Sequence, residues 1–234
     1  MFLHKITADK NYWYRHKSDY LRNGYFIHQQ IWNLVRQEQQ KSRNFLFHID
    51  YDAYKNVKHI LLLSPNHLQT SSRFLIESIE YNPLLSQGDK LRFKLRANPI
   101  IKRKIDNKQK EFNVVIDEIE NYKKREIDYL QLFSLDELIY DVGIKWLMRK
   151  GEQHGFTINY EQKHEITFQH PKVIIGNGLE YQIKSETKPE FLIRTLDFEG
   201  QLIITDIDKF KTALYQGIGS AKSFGCGLIL IKRA

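Results

Sequence analysis

The chain has one cysteine, Cys226, among its 234 residues. A single cysteine excludes an internal disulfide and any zinc site built from several cysteines. The nine histidines are also poorly spaced for metal binding, because neither HxxxH nor HExxH occurs. We therefore expect no metal site and no cofactor.

Long apolar runs are absent as well. ILLLS (Ile60 to Ser64) and LILI (Leu228 to Ile231) contain only a handful of residues, whereas a transmembrane helix needs ~20. The opening segment MFLHKITADK has no basic flank followed by an apolar stretch, so it does not match a secretion signal. We expect a cytoplasmic protein without a membrane span.

Acidic residues are fewer than basic ones. The chain has 28 Asp and Glu against 36 Lys and Arg, which gives a net charge of +8. This excess favours a polyanionic partner, because each phosphate that a protein neutralises releases counterions from nucleic acid. The alternative is a soluble protein that is merely basic, and the distribution of the charges must decide.

The first half of the sequence alternates in a way that is typical of strands, with one helix between the first two. Predicted strands cover Phe2 to Ile6, Phe45 to Asp50, His59 to Leu63 and Leu91 to Arg96. The helix runs from Gly24 to Gln37 with Asn23 as its N-cap, and Ile27, Ile31, Leu34 and Val35 form its apolar stripe. The order β-α-β-β opens a ferredoxin-like domain.

The second half repeats this alternation of helices and strands. A helix begins at Ser134, which forms a capping box with Glu137 and precedes a buried stripe of Leu135, Leu138, Ile139, Val142 and Trp146. Further strands are predicted at 156–160 and 194–206, where Gly200 marks a turn or a bulge, and a last helix and strand follow. The predicted fold is α+β, with two tandem ferredoxin-like domains, each an antiparallel sheet with helices on one face. They cover residues 1–100 and 112–234, and a basic connector at 101–111 joins them.

Four of the twelve glycines lie in the segment GIGSAKSFGCG, at Gly217, Gly219, Gly225 and Gly227. Glycine permits positive φ angles and close approach of the backbone, so successive amides in such a loop can cradle a phosphate, with Lys222 adding a charge. A tight connection between the last helix and the last strand is the alternative, with Gly217 ending the helix.

Tyr25 and His28 lie three residues apart in the first predicted helix, so they share a face, which Trp32 continues. This face points away from the apolar stripe and lies near the helix N-terminus, where a phosphate is stabilised. Histidine, with an ordinary pKa of ~6.5, gives or takes a proton near neutrality. A histidine that is only solvated or structural is the alternative.

Basic residues alternate in the strand KLRFKLRAN. Arg92, Lys94 and Arg96 are predicted to share one face of the sheet. Lys102, Arg103 and Lys104 follow in the connector and are expected to extend this surface into one continuous track for the backbone of a polyanion. A solvated basic strand is the alternative.

Several of these segments together resemble one family. GIGSAKSFGCGLILI is similar to the glycine-rich signature of the RAMP superfamily, and specifically of the CasE family of CRISPR repeat-processing endoribonucleases of type I-E Cascade. LRFKLRANPIIKR resembles a strand of that family, and YFIHQQIWNLV resembles its first helix, with a Y-x-x-H-x-x-x-W pattern. FLFH and FEG are similar too, and all the segments occur in the expected order.

The resemblance implies two tandem ferredoxin-like domains and a metal-independent endoribonuclease. Such an enzyme cleaves precursor CRISPR RNA at the repeat stem-loop by 2′-OH attack, which leaves 5′-hydroxyl and 2′,3′-cyclic phosphate ends. It then stays bound to the hairpin as a Cascade subunit, with the backbone subunit as the expected neighbour. The resemblance makes His28 and Tyr25 the catalytic pair.

The family also places a basic residue from a hairpin of the second domain near the cleaved phosphate. Lys184 and Lys188 are the candidates here, although their segment matches the family pattern poorly. Two rival functions remain open at this point: an RNA hairpin-binding subunit that does not cleave, and a metal-dependent nuclease.

Overall fold

The computed structural model of the chain describes residues 1–22, 25–35, 44–161, 170–183 and 191–234. It contains two main antiparallel sheets with helices packed against them, so the predicted α+β class is confirmed. Asn23, Lys184 and Lys188 lie outside the described residues, and the predictions for them stay predictions. None of the helices in the described ranges is long and apolar enough to cross a membrane.

The first sheet is built from the beginning of the chain. Its elements are β1 (Phe2–Ala8), α1 (Lys10–Arg15), α2 (Lys17–Arg22), α3 (Tyr25–Val35), β2 (Leu46–Tyr51), β3 (Val57–Ser64) and β4 (Phe74–Glu80). The strands pair in the order β2-β3-β1-β4, and every pair is antiparallel. Residues 65–73, all of them described, contain no helix, so the three helices before β2 cover this domain alone.

The orientation of α3 follows from its apolar stripe. Ile27, Ile31 and Val35 recur four residues apart and are all buried, whereas Leu34 is only half-buried. They pack in one core with Phe47 and other side chains of the first sheet. Because the buried stripe fixes the rotation of the helix, the residues on its other faces point outward.

The second sheet is built from the remaining strands. Its part of the chain holds β5 (Lys90–Ala97), β6 (Ile100–Ile105), β7 (Lys108–Asn113), α4 (Val114–Lys124), α5 (Leu135–His154), β8 (Phe156–Ile158), β9 (Tyr160–Glu161), β10 (His170–Pro171), β11 (Val173–Ile183), β12 (Phe191–Ile204), α6 (Ile207–Gln216) and β13 (Ile229–Arg233). The strand order is β11-β12-β5-β13, with β8 also pairing with β12. Side chains of α5 and α6 pack against the face that carries Leu91, Phe93 and Leu95.

The predicted domain boundary needs correction. Strand β5 pairs with β12 and β13 in the second sheet, so the first sheet ends at Glu80 and the second begins at Lys90. The expected connector at 101–111 is instead the β6–β7 hairpin, whose turn holds Asp106 and Asn107 at φ angles of 49° and 62°. Alternation identified β5 as a strand, but it carries no information about which strands pair with it.

Two smaller predictions are also wrong. Leu135 is 41% exposed, because it lies in the first turn of α5, whereas the other four residues of its predicted stripe are buried. Gly200 marks no turn or bulge, since it lies within β12, paired with Phe93. A Cβ at Gly200 would lie 2.2 Å from the carbonyl oxygen of Lys172, so the glycine permits a close backbone approach.

Arg96 joins the two sheets. Its Nε and one terminal nitrogen donate to the two carboxylate oxygens of Asp197 at 2.7 and 2.9 Å, and its other terminal nitrogen donates to the carbonyl of Ile49 at 3.0 Å. Only 8% of Arg96 is exposed. The prediction that it contacts RNA alongside Arg92 and Lys94 is therefore wrong: the first sheet covers this end of β5, and its carbonyl accepts the third bond.

We expect Arg96→Ala to lower the free energy of unfolding by about 3 kcal/mol, because it removes a buried guanidinium that makes two hydrogen bonds to the half-exposed carboxylate of Asp197 and one to the carbonyl of Ile49. Lys94→Ala is the matched control, since Lys94 lies two residues away and pairs with Glu199 of the same neighbouring strand. Both members of that pair are mostly exposed, so its loss should cost less than ~1 kcal/mol. Urea unfolding measures both, and equal losses would contradict the structural role of Arg96.

Candidate active site

Tyr25, His28 and Trp32 lie along one face of α3, away from its buried stripe. Tyr25 is 40% exposed, and His28 and Trp32 are partly exposed. The ring centroids of Tyr25 and His28 are 5.1 Å apart, and those of His28 and Trp32 are 6.3 Å apart. The side-by-side placement predicted from the spacing is therefore present, at the beginning of a helix.

A short turn from the other end of the chain forms the second wall of this site. Residues Lys222–Phe224 form a 3₁₀ turn inside the glycine-rich loop, and the Phe224 ring lies 6.3 Å from that of His28. Between the turn and α3 is a cavity of about 580 Å³. Its lining consists of Tyr25, His28, Gln29, Gln30, Trp32, Asn33 and Ser223. Both domains thus contribute to one site.

Backbone conformation and close packing explain why glycine occupies four positions of this loop. Gly217, Gly219, Gly225 and Gly227 all have positive φ angles between 78° and 87°, which other residues rarely adopt. A Cβ at Gly217 would lie 2.9 Å from Leu46, and one at Gly225 would lie 3.1 Å from Phe47. The loop therefore packs tightly against β2 of the first sheet, as the tight-connection alternative requires. A phosphate contact by the loop stays a prediction.

Cations converge beside this turn. Burial, and then the positive charges of Arg149, Lys102 and Lys222, lower the pKa of Lys150, so these three charges lie within electrostatic reach of Lys150. We call Lys102, Arg149, Lys150 and Lys222 the basic strip. It runs from the β6–β7 hairpin across α5 to the turn that carries Ser223. Lys222 also donates a hydrogen bond from Nζ to the carbonyl of Gln216 at 2.7 Å.

The predicted track of cations is not continuous. Arg92 and Lys94 project from the face of the second sheet opposite to Leu91 and Phe93, and they line a groove of about 550 Å³. The hairpin lies on the helix side, because Ile101 lines a small cavity with α5. One continuous surface from Arg92 to Lys104 is therefore wrong: the second sheet separates its two ends.

The cations on the two sides also differ in their partners. Lys94 pairs with Glu199 at 3.1 Å. The pKa of Asp50 is lowered to about 2, first by the hydrogen bond from His48 and to a smaller extent by nearby charges that include Lys94. On the hairpin, Lys102 pairs with Glu111 at 3.0 Å and Arg103 with Asp117 at 2.6 Å. Both members of the first pair are 54% exposed, whereas in the second pair Arg103 is 46% exposed and Asp117 only 10%. Lys104, on the same hairpin, is exposed.

Sequence reasoning missed several residues of the site. Lys150 belongs to α5, and its spacing relative to Lys102 and Lys222 carries no signal of proximity. Ser223 and Phe224 belong to the glycine-rich segment, and Gln29 and Asn33 belong to the same helix as Tyr25 and His28, so these motifs contain them. Among the residues that the structure describes, no group of three or more His, Cys, Asp or Glu side chains is placed to hold a metal ion.

We expect Gly217→Ala to destabilise the protein by about 1–3 kcal/mol more than Gly88→Ala, because the new methyl group would overpack the contact with Leu46. The two glycines share a positive φ, 78° and 88°, but nothing lies within 4 Å of a Cβ at Gly88. Thermal unfolding measures the difference. Equal losses would mean that backbone strain alone explains the glycine and that the loop does not pack closely on β2.

Comparison with known proteins identifies the family of this chain. A family model described as CRISPR associated protein matches residues 1–233. The CRISPR system Cascade subunit CasE of Escherichia coli K12 is 31% identical over 209 residues, which cover 89% of this chain and 91% of that protein.

Two solved structures share the fold over nearly the whole chain. The crystal structure of Cas6e from Escherichia coli K-12 has a TM-score of 0.64 at 24% identity and covers 100% of both chains. Thermus thermophilus Cse3, solved with an RNA representing a pre-cleavage complex, has a TM-score of 0.67 at 18% identity and covers 99% of this chain and 98% of that one. At these identities the two structures support the fold alone. The family model, which matches almost the whole chain, and the relative of 31% identity show the family. This chain therefore belongs to the CRISPR-associated protein family and is of the CasE type.

Proposed function

We propose that this protein is an endoribonuclease that cuts CRISPR RNA at the repeat stem-loop without a metal ion and then stays on the hairpin as a Cascade subunit. One observation carries the proposal: a histidine and a tyrosine share a cavity at the start of α3, next to the end of the basic strip. The names of the relatives support the same class, since one is a Cascade subunit and another was solved with RNA.

The reaction needs two proton transfers. The 2′-oxygen attacks the adjacent phosphorus as a base removes its proton, and the 5′-oxygen leaves as an acid donates one, which yields a 2′,3′-cyclic phosphate and a 5′-hydroxyl. His28 suits either transfer, because imidazole titrates near neutrality. Its Nδ1 atom is buried, so we assign the proton transfer to Nε2.

Tyr25 has a supporting role in this proposal. With an ordinary pKa of ~10, a phenol is protonated at neutral pH and acts as a hydrogen-bond donor. Its ring lies beside that of His28 and is the more exposed of the two. A donor in this place stabilises the charge that develops on the phosphate oxygens.

The RNA duplex follows the hairpin and the basic strip toward His28. Proteins recognise A-form RNA mainly through its shape and its phosphates, because its deep major groove hides the base edges. Lys102 on the hairpin, Lys150 on α5 and Lys222 beside Ser223 supply phosphate contacts on this path, and the exposed Lys104 adds one on the hairpin. The RNA contacts predicted for Arg92 and Lys94 would require a second surface on the opposite side of the sheet.

We expect His28→Ala to reduce the rate of cleavage of a repeat hairpin by about 10² to 10⁴, because it removes one general acid or base. Single-turnover cleavage in EDTA measures this, and end-group analysis of the product should find the cyclic phosphate. Tyr25→Phe should cause a smaller decrease, since it leaves the proton transfer intact. A substrate with a 5′-sulfur leaving group restores the variant if His28 is the acid, because a thiolate needs no proton to depart.

The same assay separates the rival functions. Binding without any cleavage by the wild-type protein would identify a hairpin-binding subunit. Activity that disappears completely in EDTA would identify a metal-dependent nuclease. Undiminished cleavage by His28→Ala would contradict the assignment of the catalytic residue.

We expect Lys150→Gln to flatten the dependence of log affinity on log salt concentration by about one unit, because one fewer phosphate contact releases one fewer counterion. Glutamine removes the charge and keeps two of the four methylene groups of lysine; the ammonium that it removes lies 5.7 Å from the centre of the Trp146 ring. Filter binding of the hairpin between low and moderate salt gives the slope.

Two variants make this titration decisive. Lys211→Gln, on the exposed side of α6, has no place on the proposed path and should leave the slope unchanged. Arg92→Gln tests the prediction that the opposite face binds RNA. If Arg92→Gln changes the slope and Lys150→Gln does not, the RNA binds on the other side of the second sheet.

A further inference from the structure

The cavity beside His28 has a lining that is rich in amide groups. Gln29 and Asn33 are four residues apart on the exposed side of α3, so their side chains are neighbours. Gln30 joins them and is held in place, because its Oε1 accepts a hydrogen bond of 2.9 Å from the hydroxyl of Tyr12. Ser223 adds a hydroxyl from the opposite wall.

This lining does not suit a phosphate. In the part of the chain that the structure describes, no lysine, arginine, aspartate or glutamate lines the cavity. The basic strip, which suits phosphates, lies beside the cavity and not inside it. An amide carries a donor and an acceptor side by side, which is the pattern that matches the edge of a nucleobase. The polar groups therefore fit a neutral, planar ligand with adjacent donors and acceptors.

An aromatic wall completes the cavity. The ring of Trp32 packs against that of Phe45, at a centroid distance of 5.9 Å. Tyr25 lies at the other end of the same helix face. Unpaired RNA bases commonly stack on such rings. The volume of about 580 Å³ falls within the ~300 to 1,000 Å³ that is usual for sites of small ligands.

We propose that this cavity binds one unpaired nucleobase next to the cleaved phosphate, stacked on Trp32 and recognised by the amides of Gln29 and Asn33. The inference rests on the proposed function, because it names the part of the RNA that selects the cleavage position. His28 lines the same cavity, so a base bound there brings its own phosphate to the imidazole. Duplex contacts on the basic strip position the stem, and this base sets the register.

Affinity measurements on RNA that cannot be cut test this directly. The repeat hairpin carries 2′-deoxynucleotides in its single-stranded flanks and in the last base pairs of the stem, which removes the 2′-OH nucleophile, and each flanking nucleotide in turn is made abasic. We expect one position at which loss of the base weakens binding to the wild-type protein about tenfold, as for a base recognised by paired hydrogen bonds and stacking. At that position the four bases should also differ in affinity.

The variants assign the effect to the cavity. Gln29→Ala combined with Asn33→Ala should weaken binding of the intact RNA about tenfold and leave the abasic RNA unaffected. Trp32→Leu should weaken every base at that position, and Trp32→Phe should restore most of the affinity because it retains a stacking surface. Gln131→Ala removes an exposed amide from the segment between α4 and α5, which does not line the cavity, and should have no effect.

Two results would overturn the inference: no sensitive position in the wild-type scan, or an equal loss for intact and abasic RNA in the amide variants. Neither result depends on catalysis, because the RNA is not cleaved. The cleavage assay of His28→Ala tests the proposed function separately, so the two ideas can fail independently.

Discussion

The architecture depends on one buried cation. Arg96 uses three of its nitrogens at once, two for Asp197 in its own sheet and one for a backbone carbonyl of the first sheet. A guanidinium suits this position because its planar fork meets a carboxylate with two bonds and still has a donor left over. Desolvating the charge is costly, and the hydrogen bonds offset that cost only when both sheets are in place. The ion pair therefore ties the folding of β5 and β12 to their contact with β2.

The glycine-rich loop extends this contact to the candidate active site. Leu46, Leu63 and Leu228 form a small apolar core shared by the two domains, and Gly217 and Gly225 let the loop approach β2 closely. The 3₁₀ turn that results carries Ser223 and Phe224 to α3. One wall of the site is thus a rigid helix, fixed by its buried stripe, and the other is a turn fixed by the domain interface.

Much of the fold and part of the site could be predicted from the sequence. The alternation in β5, the stripe of α3 and the capping box at Ser134 are local patterns, and each formed the expected element. Local patterns do not specify partners, which is why β5 was assigned to the wrong sheet and the β6–β7 hairpin was taken for a connector. For the same reason Arg96 was grouped with Arg92 and Lys94. The alternation of a strand shows which face a side chain occupies, but it does not show that a second domain covers one end of that face.

Tyr25 and His28 could be predicted as neighbours because helical spacing is local. Lys150 and Phe224 reach the site through tertiary contacts that no local pattern records.

The distance along the chain between the two walls of the site has a consequence for how the protein matures. His28 and Phe224 are 196 positions apart, yet their rings are neighbours. Contacts of such long sequence separation form slowly, because the entropy of closing a long loop must be overcome first. During synthesis the helix with its imidazole emerges well before the turn that faces it. An incomplete chain therefore carries α3 without the turn that faces it, and the cavity beside His28 is complete only when both domains have docked.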